Sequence, residues 1–141
     1  MNASSAAAPN IMTKSLRIAV ADDVPEIQML ASQWLTAAGH VVWCAGDGLE
    51  LLRLIRDRTV DVVLTDVMMP ENDGFEVLQK LKRTRPELKV IAMSGGADVM
   101  PRQDCLRVAT ALGARAVLPK PFNRQQLLDA IERALSDAQP R

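Results

Sequence analysis

Hydrophobic positions along the chain fall into two alternating patterns. Short apolar runs occur at Leu16 to Ala21, His40 to Ala45, Val60 to Asp66, Leu88 to Met93 and Ala114 to Leu118. Rich in Val, Ile, Leu and Ala, with few polar interruptions, they read as strands covered on both faces, the pattern of a parallel sheet between helices. Between them lie longer stretches whose apolar residues recur every third or fourth position, as on one face of a helix.

Pro25 opens the first of these, where its missing N–H is no loss, and Ile27, Leu30, Ala31, Trp34, Leu35 and Ala38 make one stripe before Gly39 stops it. Asp47 can cap a second helix that turns Leu51, Leu54 and Ile55 inward. Asp73, with Glu76 three residues on, can cap a third carrying Val77, Leu78 and Leu81, which ends before Pro86. Pro101 opens a fourth with Cys105, Val108, Ala109 and Leu112 on one side, closed by Gly113. Asn123 caps the last, bearing Leu127, Leu128, Ile131 and Leu135. Five strands alternating with five helices predict an α/β fold, a doubly wound parallel sheet with right-handed crossovers.

Length and composition narrow this further. A chain of 141 residues suffices for one domain with a core, expected over 15–137, with tails at 1–14 and 138–141. The leading segment, rich in Ala, Ser, Asn and Pro, lacks the basic start and apolar run of a signal peptide. No apolar run approaches the roughly 20 residues that span a bilayer, so a cytoplasmic protein without a membrane partner is expected. Seventeen basic residues balance seventeen acidic ones, which disfavours nucleic-acid binding. Cys44, Cys105 and the single His40 have no metal-ligand spacing, and both thiols read as small core residues. Trp34 and Trp43 read as packing residues, and His40 as structural or solvated.

Chemistry enters through the strand ends. In a parallel sheet all carboxyl ends share one edge, where ligands bind. Asp22 and Asp23, Asp66, Ser94 and Lys120 each follow a different strand and should meet there. Singly each has a plain reading: Asp22 and Asp23 as a helix-capping pair, Asp66 and Ser94 as turn residues, Lys120 as a solvated charge. Together they pose an electrostatic problem, since two carboxylates at about 4 Å repel by about 4 kcal/mol at an effective dielectric of about 20. Mg²⁺ offsets such repulsion with oxygen ligands and shares its shell with phosphate. Lys120 adds a point cation for a phosphoryl oxygen and Ser94 a hydroxyl donor, so the set suits phosphoryl transfer to Asp66.

These residues resemble the receiver domain of two-component response regulators: Asp22 and Asp23 after strand one, Asp66 after strand three with Pro70 four residues on, Ser94 after strand four, and Lys120-Pro121-Phe122 after strand five. The resemblance spans about Leu16 to Asp137. It implies the flavodoxin-like (βα)5 strand order 2-1-3-4-5. It also implies that Asp66 is phosphorylated from the phosphohistidine of a sensor histidine kinase or histidine phosphotransfer protein. By the same resemblance Asp23 binds Mg²⁺ (with Mn²⁺ as a substitute) directly and Asp22 through water, Asp66 adds a carboxylate, and Met68 its backbone carbonyl. Ser94 and Lys120 then hold the phosphoryl oxygens, and the Lys120 to Pro121 bond is cis. Val117 departs from the pattern, which places Tyr or Phe there, so the loop from Gly95 to Met100 is the expected switch element.

A hydrolase of the haloacid dehalogenase type would also use an Asp after a buried strand, but needs a second acid where this chain has Met68. The expected protein is therefore a single-domain phosphorylation switch, with a phosphate sink or phosphorelay intermediate as variants. It would act through protein contacts on a downstream target that the residues do not identify. The surface of the fourth helix, fifth strand and fifth helix is where the resemblance places a homodimer or target.

Overall fold

The computed structural model describes residues 14–69, 72–94 and 102–136, without the side chains of 68–69, 72–75 and 102–106. Pro70, Pro101 and the loop from Gly95 to Met100 therefore lie outside the described residues. In chain order the elements are β1 (Arg17–Ala21), α1 (Pro25–Ala37), β2 (Val41–Ala45), α2 (Gly48–Asp57), β3 (Val62–Asp66), α3 (Gly74–Thr84), β4 (Lys89–Ser94), α4 (Arg102–Ala111), β5 (Ala116–Pro119) and α5 (Arg124–Leu135). The strands form one parallel sheet in the order β2-β1-β3-β4-β5, the expected 2-1-3-4-5. The direction of winding reverses between β1 and β3, which places Asp22, Asp23 and Asp66 at the crevice of the switch point.

The apolar runs are explained by how strands divide their side chains. Ile18 and Val20, Val62 and Leu64, Ile91 and Met93 join one buried cluster with Ala31 and Leu35 of α1 and Leu127 and Ile131 of α5. Their neighbours Ala19 and Ala21, Val63, Val90 and Ala92 join the other, with Leu51 and Ile55 of α2, Val77, Leu78 and Leu81 of α3 and Ala109 of α4. Alternate residues face opposite sides, so a strand covered twice must be apolar throughout. Each fully buried Leu or Ile side chain contributes about 1.5–3 kcal/mol relative to exposure.

Local signals also hold. Asp47 accepts the Glu50 N–H at 2.8 Å, and Asn123 forms a capping box with Gln126. Asp73 immediately precedes α3, although its side chain is not described. Gly39 and Gly113 end α1 and α4 at φ +98° and +102°, the left-handed region that side chains resist.

Four expectations change. Cys44 is exposed, because β2 is the sheet's edge strand and shares fewer covering neighbours. The Cys105 side chain lies outside the described residues. Leu30 and Leu135, assigned to buried stripes, are partly exposed, at 39% and 37%, at the rims of α1 and α5. Strand boundaries shift, with Val60 buried but preceding β3, and β4 extending through Ser94. A short antiparallel pairing of Met68–Met69 with Asn72–Asp73 follows β3 and was not anticipated.

His40 is a structural residue. Its Nδ1 accepts the Leu16 N–H at 3.1 Å, tying the start of β1 to the turn before β2, and burial lowers its pKa from 6.5. The unfolded chain then binds the proton first as pH falls, and protonating Nδ1 removes the acceptor. Unfolding free energy measured by urea titration should therefore be level above about pH 6.5 and decline below it. His40→Asn, which keeps an acceptor without titrating, should flatten that decline. Gly39→Ala should cost about 1 kcal/mol in the same assay through backbone strain alone, because no atom lies within 4 Å of the added methyl.

Candidate functional site

Strand register assembles the site. β1 and β3 are adjacent, with Ala21 paired to Thr65, so the residues that follow on each strand emerge side by side. Asp22 and Asp66 are almost wholly buried, at 0% and 4% exposure, while Asp23 is exposed. Carboxylate oxygens of Asp22, Asp23 and Asp66 all lie within 4.8 Å of one another.

Lys120 arrives from β5, two strands from β3. Its backbone N–H donates to the Ser94 carbonyl at 2.8 Å, and the Lys120–Pro121 peptide is cis. The ammonium contacts Asp22 Oδ2 at 2.6 Å and donates to Asp66 Oδ2 at 2.7 Å, with only 14% of the side chain exposed. Burial pulls the Lys120 pKa down, but the two carboxylates outweigh it and leave the value raised. Burial raises Asp22, against the opposing pull of Lys120 and the Val24 N–H that Asp22 Oδ1 accepts at 2.8 Å. Both effects follow from charges confined at low dielectric.

Ser94 ends β4, one position beyond Met93, the register partner of Asp66. Its Oγ is buried, at 3% residue exposure, with no hydrogen-bond partner among the described residues. An orphaned buried hydroxyl costs about 1–3 kcal/mol, so a ligand oxygen there would recover a loss already incurred. The helix-capping reading of the aspartates fails: α1 has Val24 at its N-cap, with no side-chain cap bond. Asp23 takes no hydrogen bond or ion pair among the described residues.

Sequence reasoning missed Gln28. Its Nε2 donates to the carbonyls of Asp22 at 2.7 Å and Ala45 at 3.2 Å, stapling the backbone of the buried aspartate to the end of β2. A polar residue at the fourth position of α1 is ordinarily a solvated one, so nothing short of the fold identified it.

Three carboxylates against one ammonium, two of the acids buried and one exposed, form a donor set of oxygens that fits a hard divalent cation. Met68 begins the short pairing just beyond Asp66, so its backbone carbonyl remains a candidate ligand. The fold is shared with known proteins. The family model of the response regulator receiver domain matches residues 18–132, and the chain belongs to that family. The NtrC transcriptional regulator of Azospirillum brasilense is 35% identical over 123 residues, covering 87% of this chain and 25% of that protein. The chain thus spans about a quarter of the length of its NtrC relatives. Chemotaxis regulator CheY4 of Vibrio cholerae superposes with a TM-score of 0.76 at 27% identity, covering 86% of this chain and all of that one. NtrX of Brucella abortus gives 0.79 at 31% identity, over 86% of this chain and 27% of that one.

Burial of the Asp22 carboxylate costs stability in the absence of metal, with the neighbouring Asp66 charge a smaller addition. Asp22→Asn should raise the metal-free unfolding free energy by about 1 kcal/mol, because a buried carboxylate becomes neutral. Millimolar Mg²⁺ should stabilise the parent more than the variant and narrow or reverse the order, as read by thermal melts with and without the ion.

Proposed function

We propose that Asp66 is the phosphoacceptor, receiving a phosphoryl group from the phosphohistidine of a sensor kinase or phosphotransfer protein. The observation that carries this reading is the Lys120 ammonium held between Asp22 and Asp66 beside an unsatisfied Ser94 hydroxyl. An Asp66 oxygen attacks phosphorus, the P–O bond forms as the P–N bond breaks, and the imidazole leaves with the electron pair. Lys120 then exchanges one carboxylate partner for a phosphoryl oxygen, and Ser94 donates its hydroxyl to another. Hydrolysis reverses the state when water attacks phosphorus and returns Asp66 as a carboxylate. The protein thus supplies positioning and electrostatics for its own phosphorylation and dephosphorylation.

Asp22, Asp23, Asp66 and the Met68 carbonyl would hold Mg²⁺, with Asp23, the exposed member, as the direct ligand. When bound, the ion neutralises charge that develops on the phosphoryl oxygens. A phosphohydrolase reading is not favoured, since Met68 stands where that chemistry places its acid.

Output is through protein contacts in the cytoplasm, as a switch, a relay intermediate or a sink. Among the described residues no helix is long and apolar enough to cross a membrane. Coupling by an aromatic ring is not the route, because residue 117 is Val, half-buried against the α2–α4 side of the sheet. A homodimer or target contact through α4, β5 and α5 belongs to the same reading.

Incubation with Mg²⁺ and acetyl phosphate should add one phosphoryl group by intact mass, labile to hydroxylamine and absent in Asp66→Asn. Lys120→Ala should slow the gain by roughly 10²-fold. Equal labelling of Asp66→Asn, or steady phosphate release from many esters, would overturn the assignment.

A further inference from the structure

A groove runs between α2 and α3, on the layer of the sheet opposite α1 and α5. Its two lobes, of about 310 and 630 Å³, share Leu49, Leu52 and Lys80. None of Asp22, Asp23, Asp66, Ser94 or Lys120 lines it. Leu51 and Ile55 are the fully buried leucine and isoleucine of α2 and Leu52 packs partly against the same core, whereas Leu49 stands outside it. Leu49 is 53% exposed and Leu52 is half-buried. A second apolar stripe on an exposed helix face marks a contact surface when its rim is polar.

The rim is predominantly basic. Arg53, Arg56, Lys80, Arg83 and Arg85 line the groove, against Glu76 alone. Since the whole chain has a formal net charge of zero, this is a local concentration rather than a basic protein. Arg56 and Arg83 sit in last helical turns, where a cation offsets the helix dipole, and Arg56 and Arg85 pair with Asp57 and Glu87. Arg53 and Lys80 are both mid-helix and exposed, and neither makes an ion pair among the described residues, although Arg53 acts at longer range on Asp57.

We propose that this groove docks an acidic amphipathic helix of a partner protein, with leucine-like side chains over Leu49 and Leu52 and carboxylates toward Arg53 and Lys80. α2 and α3 are 10 and 11 residues long, so the trough runs about 15 Å, room for about three turns of helix. Nucleic acid is the poorer occupant, because among the described residues the floor is aliphatic and offers no ring for base stacking. A bilayer is poorer too, since the apolar residues lie in a trough between charged rims. The surface is independent of the role of Asp66.

The test uses the full chain and a fluorescein-labelled peptide of about three helical turns, with Leu at i, i+4 and i+7 and Glu elsewhere. Anisotropy should show saturable binding, with amide shift changes confined to 48–56 and 76–85. The Arg53→Glu, Lys80→Glu pair should weaken it on the order of tenfold while circular dichroism stays unchanged, and Arg53→Lys, Lys80→Arg should restore it. A peptide with the leucines scrambled should bind more weakly. The proposal is overturned by no binding up to about 1 mM, or by shifts on other elements. Equal binding of the scrambled peptide, or tighter binding of a single-stranded oligonucleotide or of phosphatidylglycerol vesicles, would also overturn it.

Discussion

One ammonium shared between two buried carboxylates governs the functional end of this protein. Asp22 and Asp66 are held in near-complete burial at the ends of adjacent strands, and Lys120 crosses from β5 to contact both. Without it, two anions would sit side by side at low dielectric; with Asp23 beside them, the pocket is still short of positive charge. Such an arrangement is poised, because the cation that makes the resting pocket tolerable is also the group a phosphoryl oxygen would recruit.

The remaining structure keeps that arrangement in place. Parallel strands deliver the side chains to one edge, the winding reversal between β1 and β3 opens the crevice, and the Lys120 N–H to Ser94 carbonyl bond ties β5 to the end of β4. Gln28 anchors the Asp22 backbone to β2. Behind this edge the two apolar clusters are aliphatic, with aromatic contact limited on the α1 and α5 side to the edge-to-face packing of Trp34 on Phe122. Trp43 packs half-buried on the other side with the Arg58 guanidinium over its ring. Rigid packing beneath a strained electrostatic site is how binding energy is directed at the reacting atoms instead of being lost in relaxation.

Membership of the receiver family frames the chemistry without supplying the output. Val117 replaces the ring that the family resemblance leads one to expect, and its carbonyl instead accepts a bond from Arg133 of α5. The smaller side chain leaves that position of the fifth strand without an aromatic rotor. The basic groove of α2 and α3 lies on a different face from the α4, β5 and α5 surface, so the two proposed contact surfaces are separate.

Strand and helix periodicity, the caps at Asp47 and Asn123, the stops at Gly39 and Gly113, and the convergence of Asp22, Asp23, Asp66, Ser94 and Lys120 were all legible in the residues. Each follows from a local rule: burial period, cap chemistry, left-handed glycine, or the shared edge of parallel strands. Tertiary structure alone decided that Cys44 would be exposed, that Leu30 and Leu135 would sit at rims, that Gln28 would hold Asp22, and that Lys120 would bridge two acids. Those outcomes depend on which strand lies at the edge and on which groups from distant segments meet. Periodicity records which side of an element is apolar, but not what stands opposite it.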